Sequence, residues 1–207
     1  MQSSRKSIIK VVLVWLGLII LLFLDVYFGR QKITFLPYYG YMLVTSFSLT
    51  KFIEKRSITE RFGLQRNNAL GLLVVTYLGL TIAYYFDISN LEGIFLAPLF
   101  EEIFFQGYML GTLSQHNNDK LKWILLTSFL FASGHIIRYY PSFTLYESIN
   151  AIGTTFIGGL FFGLLYVWSR TILWSFLVHM LYNLFPPYRV PMIRVFAIIL
   201  VLYLVFI

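Results

Sequence analysis

PLFEEIFFQG, Pro98–Gly107, sets two adjacent carboxylates, Glu101 and Glu102, inside an otherwise apolar run. An ionisable side chain at membrane depth costs roughly 2.5–3.5 kcal/mol on insertion scales and marks a functional site by default. Whether this stretch lies at membrane depth therefore decides the fold, and the rest of the chain supplies the answer.

The 207 residues are 58% hydrophobic, 19% aromatic and 12% charged, with a mean hydropathy of +0.76. A soluble domain carries roughly a quarter charged residues. Half that leaves too little polar surface to cover a water-exposed globule, so the composition specifies a polytopic membrane protein whose first partner is the bilayer. The absence of cysteine excludes a disulfide framework, thiolate catalysis and Cys-ligated zinc. The net charge of +7 does not imply nucleic acid, because Lys and Arg fall between apolar runs, as a topology code requires.

Apolar windows of about 20 residues span a bilayer as helices. Working outward from Pro98, we expect an all-α bundle of about eight transmembrane helices forming a single integral membrane domain over residues 1–207. The spans are Ile8–Phe28, Ile33–Ile53, Ala69–Phe86, Glu92–Leu113, Leu121–Ile137, Ile149–Trp168, Ile172–Phe185 and Met192–Ile207. The first is too long for a signal-peptide core and lacks a small-x-small cleavage site, so it reads as a retained helix. Gly107 and Gly111, and likewise Gly159 and Gly163, are spaced for close helix approach. With the N-terminus inside, 11 Lys and Arg fall on the inner segments and 5 on the outer ones. Both termini are therefore expected in the cytoplasm of a multi-pass cell-membrane protein.

Three other polar groups lie inside these helices: His135 near the end of the fifth, and His179 and Asn183 late in the seventh. Asp25 and Asp87 sit at helix ends and His116 in a polar loop, where solvation accounts for them. Helix direction places Glu101, Glu102, His135 and His179 in the same leaflet half. His179 and Asn183, four apart, share one face. Glu101 and Glu102, about 100° apart on an α-helix, are not expected to point the same way: one faces the site and the other braces it. Gln106, one turn on, is placed to hydrogen-bond Glu102.

These residue types suit hydrolysis. A Glu paired with a His can hold a water and take its proton; a His and an Asn on one face can donate to a developing oxyanion. Glu101, His135 and His179 are equally a catalytic zinc ligand set with a position left for water. The residues leave metal-free and metal-assisted hydrolysis open. They also leave open interhelical hydrogen bonding without catalysis, and a proton or ion relay.

EEIFFQG, FASGH and HMLYN, each on its own helix, resemble the motifs of the CPBP family of intramembrane proteases, the CAAX-protease and bacteriocin-processing group also called Abi. Phe131 and His135 match its Phe-x-x-x-His element, His179 and Asn183 its His-x-x-x-Asn element, and Glu101 and Glu102 its double glutamate, over a core of residues 91–185. Gln106 stands where the family carries arginine. The resemblance implies an endopeptidase acting on membrane-associated, prenylated or bacteriocin-like peptides. In its metal-free form Glu101 and His135 would activate water, His179 and Asn183 would form the oxyanion hole and Glu102 would support them. No cofactor is expected there, a divalent metal such as zinc being the alternative. A non-catalytic immunity or interaction protein on the same fold is the other expectation. The charge bias places the site in the outer leaflet half, whereas eukaryotic members act on cytosolic substrates.

Overall fold

The structure, a computed structural model, describes residues 2–29, 36–64, 91–115, 119–139 and 144–185, with isolated positions at 71, 74, 77, 81, 195 and 198. The expected third and eighth spans lie outside the described residues apart from those isolated positions. Asp87, His116 and the side chain of Asp25 also lie outside them.

Among the described residues the architecture is all-α. Helix α1 is Gln2–Gly29. Helix α2 is Leu36–Ser48 and runs on into a wide π-helical turn, Leu49–Ile53. A short helix α3, Ile58–Arg61, lies in the polar segment that follows. Helix α4 covers residues 91–113, α5 is Lys120–Tyr139, α6 is Leu145–Ser169 and α7 is Ile172–Leu184. The windows Arg5–Leu24 and Leu145–Ser169 are long and apolar enough to cross a membrane, by length and composition.

On α1 the buried Val11 and Leu18 are seven residues apart, while Leu13, Ile20 and Phe23 stand exposed. A helix that buries a narrow stripe and presents large aliphatic groups elsewhere fits a lipid-facing position at the edge of a bundle. It packs on α2 and α5. Helix α4 is the opposite case. Residues 101–113 are buried all round, enclosed by α2, α5, α6 and α7.

The backbone of α4 alternates between two windings. Glu92–Leu96 is π-helical, Ala97–Glu101 is α, Glu102–Leu110 is π and Gly111–Leu113 is α. Pro98 has no N–H to offer and its ring crowds the carbonyl four residues back, so α winding fails upstream of it. Widened turns of this kind occur preferentially at functional sites.

Gly159 and Gly163 bring α6 close to α5: a Cβ on Gly159 would stand 3.2 Å from Ser128 Cα and 3.1 Å from the Phe131 ring, and one on Gly163 2.9 Å from Ile124. The pair on α4 serves differently. Gly107 faces the Phe62 ring, and Gly111 faces Tyr166 and Arg61, so the polar segment after α2, rather than a neighbouring helix alone, fills that groove. Thr144 starts α6 with a capping box. Its Oγ1 accepts from the Glu147 N–H at 3.3 Å, and its own N–H donates to Glu147 Oε2 at 2.8 Å.

Candidate active site

Glu101 ends the α segment of α4 and Glu102 opens its second π segment. Both are buried, with side chains 3% and 1% exposed. His135 comes from the last turns of α5 and His179 from the second half of α7. The structure brings these four together, although α5 and α7 lie well apart in the chain.

Each imidazole is held through Nδ1. His135 Nδ1 lies 2.9 Å from the Phe131 carbonyl one turn back. His179 Nδ1 lies 2.9 Å from Glu102 Oε1. A carbonyl and a carboxylate only accept, so both Nδ1 atoms carry the proton and both Nε2 atoms present a lone pair. Those two lone pairs meet the same carboxylate: His135 Nε2 is 3.9 Å from Glu101 Oε1 and His179 Nε2 is 3.7 Å from Glu101 Oε2. Both separations exceed a direct hydrogen bond, and a polar contact at that distance is the place to look for a bridging water.

Glu101 and Glu102 both reach His179, contrary to the expectation that adjacent residues diverge. They grip opposite nitrogens of one ring, Glu102 from behind and Glu101 from in front. The step between them falls where α winding gives way to π, which narrows the angle between successive side chains. The division of labour is the expected one in one respect, since Glu102 accepts its hydrogen bond from a neighbouring helix.

Aromatic rings fix the imidazole planes. His179 stacks on Phe162, with centroids 4.5 Å apart and planes 19° apart, and meets Phe131 edge-on at 6.0 Å. Phe131 also packs against His135 at 4.7 Å. Phe131 thus holds one histidine by its carbonyl and touches both by its ring.

Three residues around the site were not anticipated from sequence. Tyr38, on α2, donates to Glu101 Oε1 at 3.5 Å, and Phe162 is the stacking partner just described. Ser175, on α7, lies beside Glu102. A tyrosine in an apolar helix is ordinary, and its partner here is 63 residues away, so no local pattern marked it.

Asn183 is not among the converging groups. Its amide Nδ2 donates to the Gly93 carbonyl at 3.0 Å, tying the end of α7 to the start of α4. Gln106 does not close the expected bond to Glu102. Its Oε1 and the Glu102 Oε2 are both buried without a hydrogen-bond partner, and Oε1 lies toward Gly163 of α6. Among the described residues no three His, Asp or Glu side chains stand close enough together to hold a metal ion.

Exposure is graded across the cluster. The His135 side chain is 14% exposed and His179 7%, against the nearly closed glutamates. The cluster is therefore most open on the His135 side. A buried carboxylate facing two imidazole lone pairs can deprotonate a water, and a histidine backed by a second carboxylate can carry positive charge as the reaction develops.

The family model described as type II CAAX prenyl endopeptidase Rce1-like matches residues 88–185. That description names no bacteriocin-processing or immunity function. No curated protein and no solved structure matches the chain.

Proposed function

Because residues 88–185 match the family model described as type II CAAX prenyl endopeptidase Rce1-like, we propose that the protein is a membrane-embedded endopeptidase that hydrolyses peptide bonds with a water activated by Glu101. One observation carries the reading: the Nε2 atoms of His135 and His179 both face the Glu101 carboxylate, at 3.9 and 3.7 Å. A water seated off the line between carboxylate and ring reaches both at hydrogen-bond length.

In this reading Glu101 takes a proton from that water while His135 Nε2 orients it. The hydroxide oxygen bonds to the scissile carbonyl carbon and the carbonyl oxygen becomes the oxyanion. Glu101 passes that proton on to His179 Nε2, and the imidazolium, supported by Glu102 behind it, donates to the oxyanion while the Tyr38 hydroxyl stays on Glu101. The C–N bond then breaks and the proton passes from His179 to the leaving amine. Asn183 acts at a distance from the bond, holding α7 in register with α4. The substrates are membrane-anchored peptides, with prenylated CAAX-type chains the class the family suggests. The chain reads as eight membrane spans with both termini in the cytoplasm.

The test uses purified protein in proteoliposomes, challenged with farnesylated CAAX peptides and with unprenylated membrane-anchored peptides, each with and without a chelator. Mass spectrometry reads the products. We expect cleavage by the wild type, a loss of about 10²–10⁴-fold in Glu101→Gln, and no effect of the chelator. Chelator-sensitive cleavage would transfer the chemistry to a metal.

A second reading has one specific observation behind it. Where the family arginine would supply a charge, Gln106 leaves Glu102 Oε2 without a partner. That favours a non-catalytic interaction protein on the same fold. A cellular phenotype that survives Glu101→Gln would establish it over the protease.

A further inference from the structure

The opposite end of the bundle carries a second polar cluster, assembled from four parts of the chain. Lys6 and Lys10 come from the first turns of α1, Arg56 and Arg61 from the segment after α2, Lys120 from the start of α5 and Arg170 from the α6–α7 turn. These six cations, with Glu54 and Glu60, line two cavities of about 240 and 360 Å³ that share Arg56 and Gln115 as a common wall. Small-ligand sites span roughly 300–1,000 Å³.

Lys and Arg at a cytoplasmic helix end are ordinarily solvated topology signals. Two features separate this cluster from that pattern. First, it has a buried floor. Arg61 is only 6% exposed and pairs with Glu54, yet its Nε is buried without a hydrogen-bond partner. Glu54 also accepts from Lys10 Nζ at 2.8 Å and Thr112 Oγ1 at 3.0 Å. One carboxylate is thus shared by two cations, and the floor keeps a positive surplus.

Second, the walls are fixed. Tyr166 donates to the Arg61 carbonyl at 3.0 Å and the Ile172 N–H to the Phe62 carbonyl at 3.1 Å. Gly63 adopts φ +64°, and a Cβ there would strike the Arg170 carbonyl. Lys55 and Arg170 also hold positive φ, 53° and 56°, a conformation that non-glycine residues keep only when their surroundings impose it.

The depth of the cluster identifies the ligand. Lys6 lies at the start of one membrane-length window and Arg170 immediately beyond the end of the other, the level at which lipid phosphates lie. Basic pockets between helices on the cytoplasmic side accommodate anionic headgroups. We propose that this cradle binds the phosphate of an anionic phospholipid headgroup, with Arg61 as its floor and Arg56, Lys120 and Arg170 as its rim. The site is independent of the hydrolytic reading.

The test is native mass spectrometry of the full-length protein in detergent, titrated with phosphatidylglycerol, phosphatidylcholine or inorganic phosphate. Arg56→Gln/Lys120→Gln removes two exposed rim charges. Lys51→Gln/Lys122→Gln removes two charges that line neither cavity. We expect saturable retention of phosphatidylglycerol over phosphatidylcholine, weakened about tenfold in the first variant and unchanged in the second. A lipid-free melting temperature equal to wild type shows that each variant folds. Should the first fail this control, Arg170→Gln alone carries the same expectation. Equal loss in both double variants, or equal retention of the two lipids, overturns the proposal. Binding of inorganic phosphate without phosphatidylglycerol retention overturns it too, and would make the site one for a free anion.

Discussion

At the scale of single residues, the cluster is organised by what stands behind each histidine. Glu102 touches His179 and no reacting atom, so it is a positioning residue. Glu102→Gln retains an acceptor for His179 Nδ1 but removes the charge that supports an imidazolium. We expect kcat to fall about a hundredfold with KM little changed and the pH profile displaced, where loss of fold would lower the active fraction without moving that profile. Tyr38 donates to Glu101 at 3.5 Å, a long bond. Tyr38→Phe should therefore lower kcat by only about fivefold, measured on whichever peptide the wild type cleaves. Glu101, Glu102, His135 and His179 were legible in the sequence because ionisable groups are costly in an apolar run and stand out there. Tyr38, Ser175 and Phe162 were not, because an aromatic or hydroxyl residue in a membrane-type helix costs nothing and draws no notice. Gln106 and Asn183 were less legible: Gln106 departs from the family arginine and was placed to bond Glu102, and Asn183 matched the His-x-x-x-Asn element by position, but a side chain's partner depends on neighbours that spacing does not specify.

At the scale of helices, the decisive contact is α5 against α6. Gly159 abuts the Ser128 backbone and the Phe131 ring, and the Phe131 carbonyl holds His135. Packing and chemistry thus share one residue. Gly159→Val should cost about 1–3 kcal/mol through overpacking, visible as a lowered melting temperature in detergent. It should also depress activity by more than the folded fraction explains, because Phe131 must shift. Activity that merely tracks folded protein would show that Phe131 is a passive wall. The hydrophobic runs announced α1, α2, α5, α6 and α7, since a continuous apolar stretch of the right length has few alternatives. The change of winding in α4 beyond Pro98 was silent. In a run that is apolar on every face, hydropathy carries no phase, and an α turn and a π turn leave the same trace.

At the scale of the whole molecule, the Glu/His cluster occupies one end of the bundle and the basic cradle the other. If the cradle faces the cytoplasm, the site opens toward the outer side. The cysteine-free chain makes this directly measurable, since a single introduced cysteine has no background. Lys122→Cys should be labelled by an impermeant maleimide only after the cytoplasmic face is opened, and Tyr146→Cys in intact cells. The reverse pattern would place the catalytic residues toward the cytoplasm and invert the orientation given by Lys and Arg. Charge bias was legible as a count; its assembly into a cradle was not, because Lys10, Arg61 and Arg170 meet only once the chain has folded.

The wide winding of Glu102–Leu110 also governs which changes in chain length the protein tolerates. Each hydrogen-bonded ring there encloses one residue more than an α turn, so the segment behaves as an accommodated insertion. Deleting one residue between Ile103 and Gln106 would let the helix tighten to α winding, with the two glutamates upstream and Gly107 and Gly111 downstream kept near their present faces. The same deletion within the α-wound Lys120–Tyr139 would turn everything beyond it by about 100°. A single-codon deletion should therefore be far better tolerated in the first of these helices than in the second.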